Sequence, residues 1–211
     1  MKEMKKTGNV SGIMANVSTG TVSIKQYKTP KNVLPGMYVY ADGLIYPEII
    51  EGRQIKAVVA CVSNFEVLAV CLKRTKLPWS SDWLEVKTTQ KMTDGQGATR
   101  EILEAVREGG KSAEAVQWCY DYAEDGVKQG EAFLPSLTEL EKLFANKAAI
   151  NASLRALNAA LLDDWYYSSN EHSYYIVWGM RMSDGRPCAY GKRSRKKYVC
   201  PVLKFKLLLS Y

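Results

Sequence analysis

The spacing of apolar residues changes twice along this chain of 211 residues. In the first part, apolar residues alternate with polar ones or form short runs, as in Thr21–Gln26 and Ala57–Val62, which predicts strands. Between Thr99 and Leu161 they recur every three or four positions, which predicts helices. After Asp163 the short alternating segments return. This order of strands, helices and strands favours an α+β fold over a doubly wound one.

Turn residues divide the strand segments. Met37–Tyr46 is predicted to form a hairpin around Asp42-Gly43, and Ala57–Leu72 a second hairpin around Ser63-Asn64-Phe65. Between this part and the helices, the polar segment Lys73–Gln96 is predicted to be a long ordered loop that contains Trp79 and Trp83. The later predicted strands are Ile176–Met182, Pro187–Tyr190 and, as one final strand, Tyr198–Phe205.

Four helical segments follow from the spacing of the apolar residues. They are Thr99–Glu108, Lys111–Tyr122, Ser136–Ala145 and Ala148–Leu161. Thr99 and Ser112 are candidate N-caps of the first two. Ser136 and Glu139 have the spacing of a capping box, in which each residue's side chain accepts a hydrogen bond from the other's backbone N–H.

Charge and aromatic side chains concentrate near the carboxyl end. Residues 181–206 contain nine Lys or Arg residues and one acid, Asp184, so this segment carries a formal +8 in a chain of +7. The nearby aromatic residues are Trp165, Tyr166, Tyr167, Tyr174, Tyr175, Trp178, Tyr190 and Tyr198. Aromatic rings among small polar residues and arginine are typical of binding surfaces. We therefore expect the function to lie in this part of the chain.

Several kinds of site are not expected from the residues present. The five cysteines have no C-x-x-C spacing and His172 is the only histidine, which argues against a zinc site or a disulfide framework. Acidic residues near the carboxyl end are too widely spaced to suggest Ca²⁺, and no glycine-rich phosphate loop follows a strand. We predict no metal and no cofactor. No apolar run is long enough to insert in a membrane, and the first residues, MKEMKKTGNVSG, show no signal peptide.

Four blocks in fixed order carry a resemblance to a known family. They are FLPSLTELEKLFANKAAINASL (Phe133–Leu154), WYYSSNE (Trp165–Glu171), VWGMRMSDGR (Val177–Arg186) and YVCPVLKF (Tyr198–Phe205). Together they resemble the variable proteins of diversity-generating retroelements in gut bacteria and their phages. The chain departs from the family pattern at Cys200, where arginine is usual.

The resemblance implies a C-type-lectin-like α+β fold, related to the formylglycine-generating enzyme version, with a mixed or antiparallel sheet and two or more helices. Residues 36–211 would form the ligand-binding domain and residues 1–35 an amino-terminal arm, rich in strands or used for oligomerisation. The implied function is non-catalytic binding through a diversified surface at about residues 165–197. The expected ligand-binding residues are Asn170, His172, Ser173, Tyr174, Tyr175, Arg186, Cys188, Tyr190, Lys192, Arg193, Ser194 and Arg195.

The implied partner is a protein or glycan receptor on a target cell, and the implied location is a phage particle or a bacterial cell surface, with a homo-oligomer as one arrangement. Two alternatives stay open. A formylglycine-generating-type enzyme would need a reactive pair such as Cys188 and Cys200. A nucleic-acid binder, which is not favoured over receptor binding, would use the basic run Lys192–Lys197, which otherwise forms a solvated turn.

Overall fold

The computed structural model describes residues 12–18, 21–27, 32–86, 92–193 and 196–207, and these ranges form twelve strands and four helices. The strands are β1 (Gly12–Ser18), β2 (Thr21–Tyr27), β3 (Tyr38–Tyr40), β4 (Ile45–Tyr46), β5 (Ile55–Ser63), β6 (Glu66–Cys71), β7 (Thr75–Leu77), β8 (Trp165–Glu171), β9 (Ile176–Arg181), β10 (Arg186–Gly191), β11 (Lys197–Val199) and β12 (Val202–Lys206). The helices are α1 (Gly95–Gly109), α2 (Glu114–Tyr120), α3 (Leu137–Ala145) and α4 (Lys147–Ala156). The predicted α+β class is confirmed.

Two five-stranded sheets make up the body of the described structure. The first sheet has the order β10-β9-β8-β11-β7 and is mixed, because β11 runs parallel to β8 and antiparallel to β7. The second sheet has the order β12-β6-β5-β3-β4 and is antiparallel throughout. Strands β1 and β2 pair with each other as a separate antiparallel hairpin. The boundary expected near residue 35 stays a prediction.

Three apolar clusters cover the faces of the sheets. Helices α3 and α4 pack against one face of each sheet, where Leu140 and Ile150 join Tyr166 of β8 and Val58 of β5. Residues from α1 and α2 and the segment 79–86 cover Tyr167 and other residues of the first sheet's opposite face. The remaining face of the second sheet packs against a third cluster. This arrangement leaves the β8–β9 connection and the outer strand β10 near the surface.

Both predicted hairpins are present. Strands β3 and β4 flank Asp42-Gly43, where Gly43 has a φ of 87°. Strands β5 and β6 flank Asn64 and Phe65, whose φ values of 50° and 60° are those of a two-residue turn with both residues left-handed.

Of the three predicted N-caps, one is confirmed. Ser136 accepts a hydrogen bond from the Glu139 N–H at 3.2 Å, and the Glu139 carboxylate accepts one from the Ser136 N–H at 2.8 Å, as the capping box predicts. Thr99 is not a cap: α1 begins earlier, after Asp94, whose side chain accepts from the Gly97 N–H. Ser112 is not a cap either, because α2 begins after Ala113 and has no side-chain cap.

One loop prediction and one strand prediction need correction. The segment Lys73–Gln96 is not all loop, because it includes β7 and the start of α1. Tyr198–Phe205 is not one strand, because the chain breaks at Cys200-Pro201. Proline lacks a backbone donor and interrupts pairing, so β11 joins the first sheet and β12 joins the second.

Candidate functional site

The ten described residues of the expected ligand-binding set fall into three groups. His172, Ser173, Tyr174, Tyr175, Arg186 and Arg193 are exposed, Cys188 and Tyr190 are half-buried, and Asn170 and Lys192 are buried. Ser194 and Arg195 lie outside the described residues. Six of the ten described residues are therefore exposed, and ligand binding by them stays a prediction.

The turn between β8 and β9 and the residues that follow β10 meet at one end of the first sheet. The tight turn between β8 and β9 is closed by hydrogen bonds from the His172 and Ser173 N–H groups to the Ile176 carbonyl, at 2.9 and 3.0 Å. The Lys192 N–H donates to the Tyr175 carbonyl at 3.0 Å, which ties the residues after β10 to this turn. Arg186 begins β10 at the opposite end of the strand and does not join this group.

Asn170 belongs to the core and not to the exposed contact surface. Its side chain is fully buried, and its Oδ1 accepts a hydrogen bond from the Leu137 N–H at 2.7 Å. Leu137 is the first residue of α3, where a backbone N–H has no partner within the helix. Asn170 therefore attaches this helix to β8, and the expectation that it faces a ligand is wrong.

Lys192 is the second correction, because it lies inside the protein and not in a solvated turn. Its Nζ donates to the Glu171 carboxylate at 2.5 Å and to the Leu84 carbonyl at 2.6 Å, and lies 5.1 Å from the centre of the Trp79 ring. Burial lowers the pKa of the Lys192 ammonium, and the Glu171 carboxylate opposes that shift. A buried charge is tolerated when it is paired and fully hydrogen-bonded.

This ion pair holds the segment 79–86 against the carboxyl-terminal strands. The other carboxylate oxygen of Glu171 accepts from the Val86 N–H at 2.9 Å. The Trp79 indole donates to the Ser168 carbonyl at 2.9 Å, and the Trp79 N–H donates to the Lys192 carbonyl at 3.0 Å. We call Glu171, Lys192 and Trp79 the clamp. Its residues come from two distant parts of the chain.

The clamp brings Trp83 beside the exposed tyrosines. The Trp83 ring stacks on Tyr174 with centres 6.1 Å apart, and meets Tyr175 edge to face at 4.8 Å. The Arg193 guanidinium lies 4.9 Å from the centre of the Trp83 ring. Tyr174 and Tyr175 are 36% and 55% exposed, which is high for aromatic side chains. We call these four residues the aromatic platform.

Trp83 was missing from the expected ligand-binding set. The only signal in the sequence was an aromatic residue in a polar loop, which does not indicate what the loop contacts. The Trp83 carbonyl accepts from the Lys111 ammonium at 2.6 Å, which also ties the loop to the start of α2. The platform therefore combines three segments of the chain.

The chemistry of the platform suits binding. Rigid rings provide contact area at a low entropic cost, and a guanidinium stacked on a ring can donate a pair of parallel hydrogen bonds. The His172 ring meets Trp178 edge to face at 4.7 Å. Within the described residues, no hydrogen bond connects the His172 ring to a nucleophile or a carboxylate.

The cysteine pair that the enzyme alternative needs does not form. Cys188 lies on β10 and Cys200 follows β11, and two strands separate β10 from β11 in the first sheet. At about 4.8 Å between neighbouring strands, the two residues are far beyond disulfide distance. Both thiols are free, and burial raises the pKa of Cys200, which lowers its reactivity.

The described ranges contain no group of three or more His, Cys, Asp or Glu side chains that could hold a metal ion. They also contain no helix with the length and apolar character needed to span a membrane.

Comparison with known proteins gives a fold relationship. No protein-family model matches the chain, and no curated protein matches it. Among solved structures, the chain is similar to the crystal structure of a fimbrial protein from Bacteroides ovatus ATCC 8483, with a TM-score of 0.64 and 13% identity. The match covers 83% of this chain and 49% of that one, so this chain spans about half the length of the fimbrial structure. At this identity the likeness shows a common fold.

Proposed function

We propose that this chain is a non-catalytic binding protein of the adhesion type, which contacts a protein or glycan receptor through the aromatic platform. The observation that carries the proposal is the exposure of Tyr174 and Tyr175 above the buried ion pair of Lys192 and Glu171. Exposed aromatic residues beside an arginine are the residue types that dominate binding energy at interfaces. A charged pair buried beneath them keeps the exposed rings in a fixed arrangement, so less entropy is lost on binding.

The likeness to a fimbrial protein supports a location at a bacterial cell surface. The four sequence blocks support a narrower proposal, a variable protein of a diversity-generating retroelement with a C-type-lectin-like fold, on a bacterial surface or a phage particle. In that setting the exposed turn residues His172–Tyr175 are free to vary. Asn170 and Lys192 are constrained by their buried hydrogen bonds.

The binding proposal is tested by screening the purified protein on glycan and protein arrays, followed by titration of any ligand found. Changing Tyr174 and Tyr175 together to alanine is expected to weaken that binding by at least about tenfold, since each exposed anchor contributes on the order of 1 kcal/mol or more. Phe65→Ala is the matched control, because Phe65 is a 59% exposed aromatic on the second sheet. Equal binding by the tyrosine variant and the wild type would reject the platform.

The narrower proposal needs a genetic test. We expect a near-copy of the DNA for residues 165–197 beside a reverse-transcriptase gene, with differences confined to adenines. A genome that holds this gene without such a copy would remove the retroelement part of the proposal. The binding proposal would stand, because it depends on the platform.

A further inference from the structure

A row of side chains crosses the first sheet at the end opposite the platform. Arg186 of β10 pairs directly with Arg181 of β9, and Arg181 pairs with Trp165 of β8. Tyr198 pairs with Tyr166, so Lys197 of β11 lies beside Trp165. Side chains at paired positions point to the same face of a sheet. We call Arg186, Arg181, Trp165 and Lys197 the basic row.

The basic row lies apart from the platform. Arg181 ends β9 and Ile176 begins it, so five residues separate the row from the turn that carries Tyr175. At about 3.3 Å for each residue, this separation is on the order of 17 Å. The same face is covered near Tyr167 and Val177 by the cluster of α1 and α2, while the side chains of the row are half-buried or exposed.

The basic row holds more positive charge than the fold requires. Like charges placed directly opposite on neighbouring strands are destabilising, and Arg181 and Arg186 have this arrangement. Asp184 in the connecting turn binds the Arg181 guanidinium and accepts from the Arg186 N–H at 3.2 Å. Asp184 thus pairs with the guanidinium of Arg181 and binds Arg186 through its backbone N–H. The nearby Asp164 carboxylate is 3.0 Å from the Lys76 ammonium.

Aromatic rings hold the cations of the row in place. The Arg181 guanidinium is 4.9 Å from the centre of the Trp165 ring, and the Lys197 ammonium is 5.1 Å from the same centre. Lys197 is also 4.9 Å from the centre of the Tyr190 ring, which meets Trp165 edge to face at 5.6 Å. Cation–π contacts of this kind fix the charges at a low entropic cost. The Trp165 and Tyr190 rings are therefore already engaged by cations.

We propose that the basic row binds an acidic polysaccharide, which runs across the strands with its carboxylate or sulfate groups on Arg186, Arg181 and Lys197. Three strand steps of about 4.8 Å each give the row a length of about 14 Å, which suits an extended polymer. Arginine can bind such groups with two parallel hydrogen bonds. Nucleic acid is disfavoured because single-strand binders stack bases on open aromatic rings.

The test measures binding of the purified full chain to polygalacturonate, with its carboxylates, and to dextran sulfate. Neutral dextran, polyglutamate and a thymidine oligonucleotide are the comparison probes. We expect one of the acidic glycans to bind more tightly than all three comparison probes. Its affinity should fall as the salt concentration rises. Equal binding of neutral dextran, or tighter binding of polyglutamate or of the oligonucleotide, would overturn the proposal.

The variants separate the basic row from the net charge of the protein. Changing Arg186 and Lys197 together to glutamine is expected to weaken glycan binding by at least about tenfold. The control changes Arg155 and Lys206, an exposed arginine and an exposed lysine elsewhere, to glutamine. It removes the same charge and is expected to change binding by less than about twofold. An equal loss of glycan binding in both variants would show that binding depends on net charge alone. It would refute specific binding by the basic row.

The single variant Arg186→Gln distinguishes a loss of glycan binding from a loss of folding. It removes one of two opposed like charges, so the melting temperature is expected to stay the same or rise. Weaker glycan binding at an unchanged or higher melting temperature supports the proposal. Unchanged binding by both Arg186→Gln and the double variant refutes it.

Discussion

The ammonium of Lys192 lies 2.5 Å from the carboxylate of Glu171, and both side chains are almost completely buried. Glu171 ends β8 and Lys192 directly follows β10, so the pair joins two strands that are not neighbours in the first sheet. Through Leu84 and Val86 it also holds the loop that carries Trp83. The sequence suggests that the charge of Lys192 belongs to a solvated turn. In the structure this charge is buried and supports the platform from beneath.

Replacing Lys192 with methionine is expected to destabilise the protein by about 3–5 kcal/mol, because the buried Glu171 carboxylate would lose the Lys192 ammonium that balances its charge. Urea unfolding with an unchanged m-value would measure the loss. Arg193→Met, at the exposed neighbouring position, is the control and should cost less than about 0.5 kcal/mol. Adding Glu171→Gln to Lys192→Met should recover part of the loss, since the amide oxygen still accepts from the Val86 N–H. A single Lys192 variant as stable as the wild type would rule out the clamp.

Asn170→Ala is expected to cost about 1–3 kcal/mol of stability, because the buried Leu137 N–H would lose its acceptor. The affinity of the folded fraction for a platform ligand should not change. Ser173→Ala, in the exposed turn, should leave stability within about 0.5 kcal/mol of the wild type. Thermal unfolding and a ligand titration on the same samples would check this. If the Asn170→Ala variant kept its full stability but bound the platform ligand more weakly, Asn170 would be a ligand-binding residue.

The five thiols are expected to react in a definite order with an aromatic disulfide reagent at neutral pH. Cys188 should react first, because it is half-buried on the outer strand β10, and Cys61 second, because it is also half-buried but burial raises its pKa. Burial raises the pKa of Cys71, Cys119 and Cys200, so these three should react only after unfolding. Mass spectrometry of peptides from native and urea-unfolded protein would assign the sites, with Cys188→Ser removing the fastest phase. Rapid labelling of native Cys200 would contradict the packing described.

Alkaline pH should destabilise the protein through buried tyrosines. Burial raises the pKa of Tyr167 to about 12 from the ordinary 10.0. Because the unfolded chain loses this proton first, the contribution to stability is complete below pH 10 and is lost as the pH rises through about 12. The loss from this group is on the order of 2 kcal/mol.

A titration of tyrosinate absorbance beside circular dichroism would test this dependence. Tyr167 should ionise near pH 12 or together with unfolding. Tyr167→Phe should remove part of the loss of stability at alkaline pH, and Tyr175→Phe should not. Early ionisation of every tyrosine in folded protein would contradict the burial of Tyr167.

The local features of the fold were predictable from the sequence. Asp42-Gly43 and the turn at Asn64 mark hairpins because they take conformations that few other residues accept. The capping box of Ser136 and Glu139 marks the start of α3 through a short-range exchange of hydrogen bonds. Each of these signals lies within a few residues, so a single sequence contains it in full.

The candidate site was predictable only in part. The turn with Tyr174 and Tyr175 stood out by composition, but the partner loop with Trp83 did not, because long-range contacts decide which loop reaches the turn. Lys192 looked solvated within a basic run, and nothing nearby in the sequence indicates that Glu171 is its partner. Tertiary structure, and not residue type, decides which polar side chains are buried.

The break at Cys200-Pro201 has a consequence for biosynthesis. It sends β11 between β8 and β7 in one sheet and β12 beside β6 in the other, so both strands pair with segments from the first half of the sequence. Neither sheet can be completed until these two strands have left the ribosome's exit tunnel. Folding that depends on such distant pairings is slow, and the nascent chain must remain soluble with an unpaired edge on β6 until β12 is available.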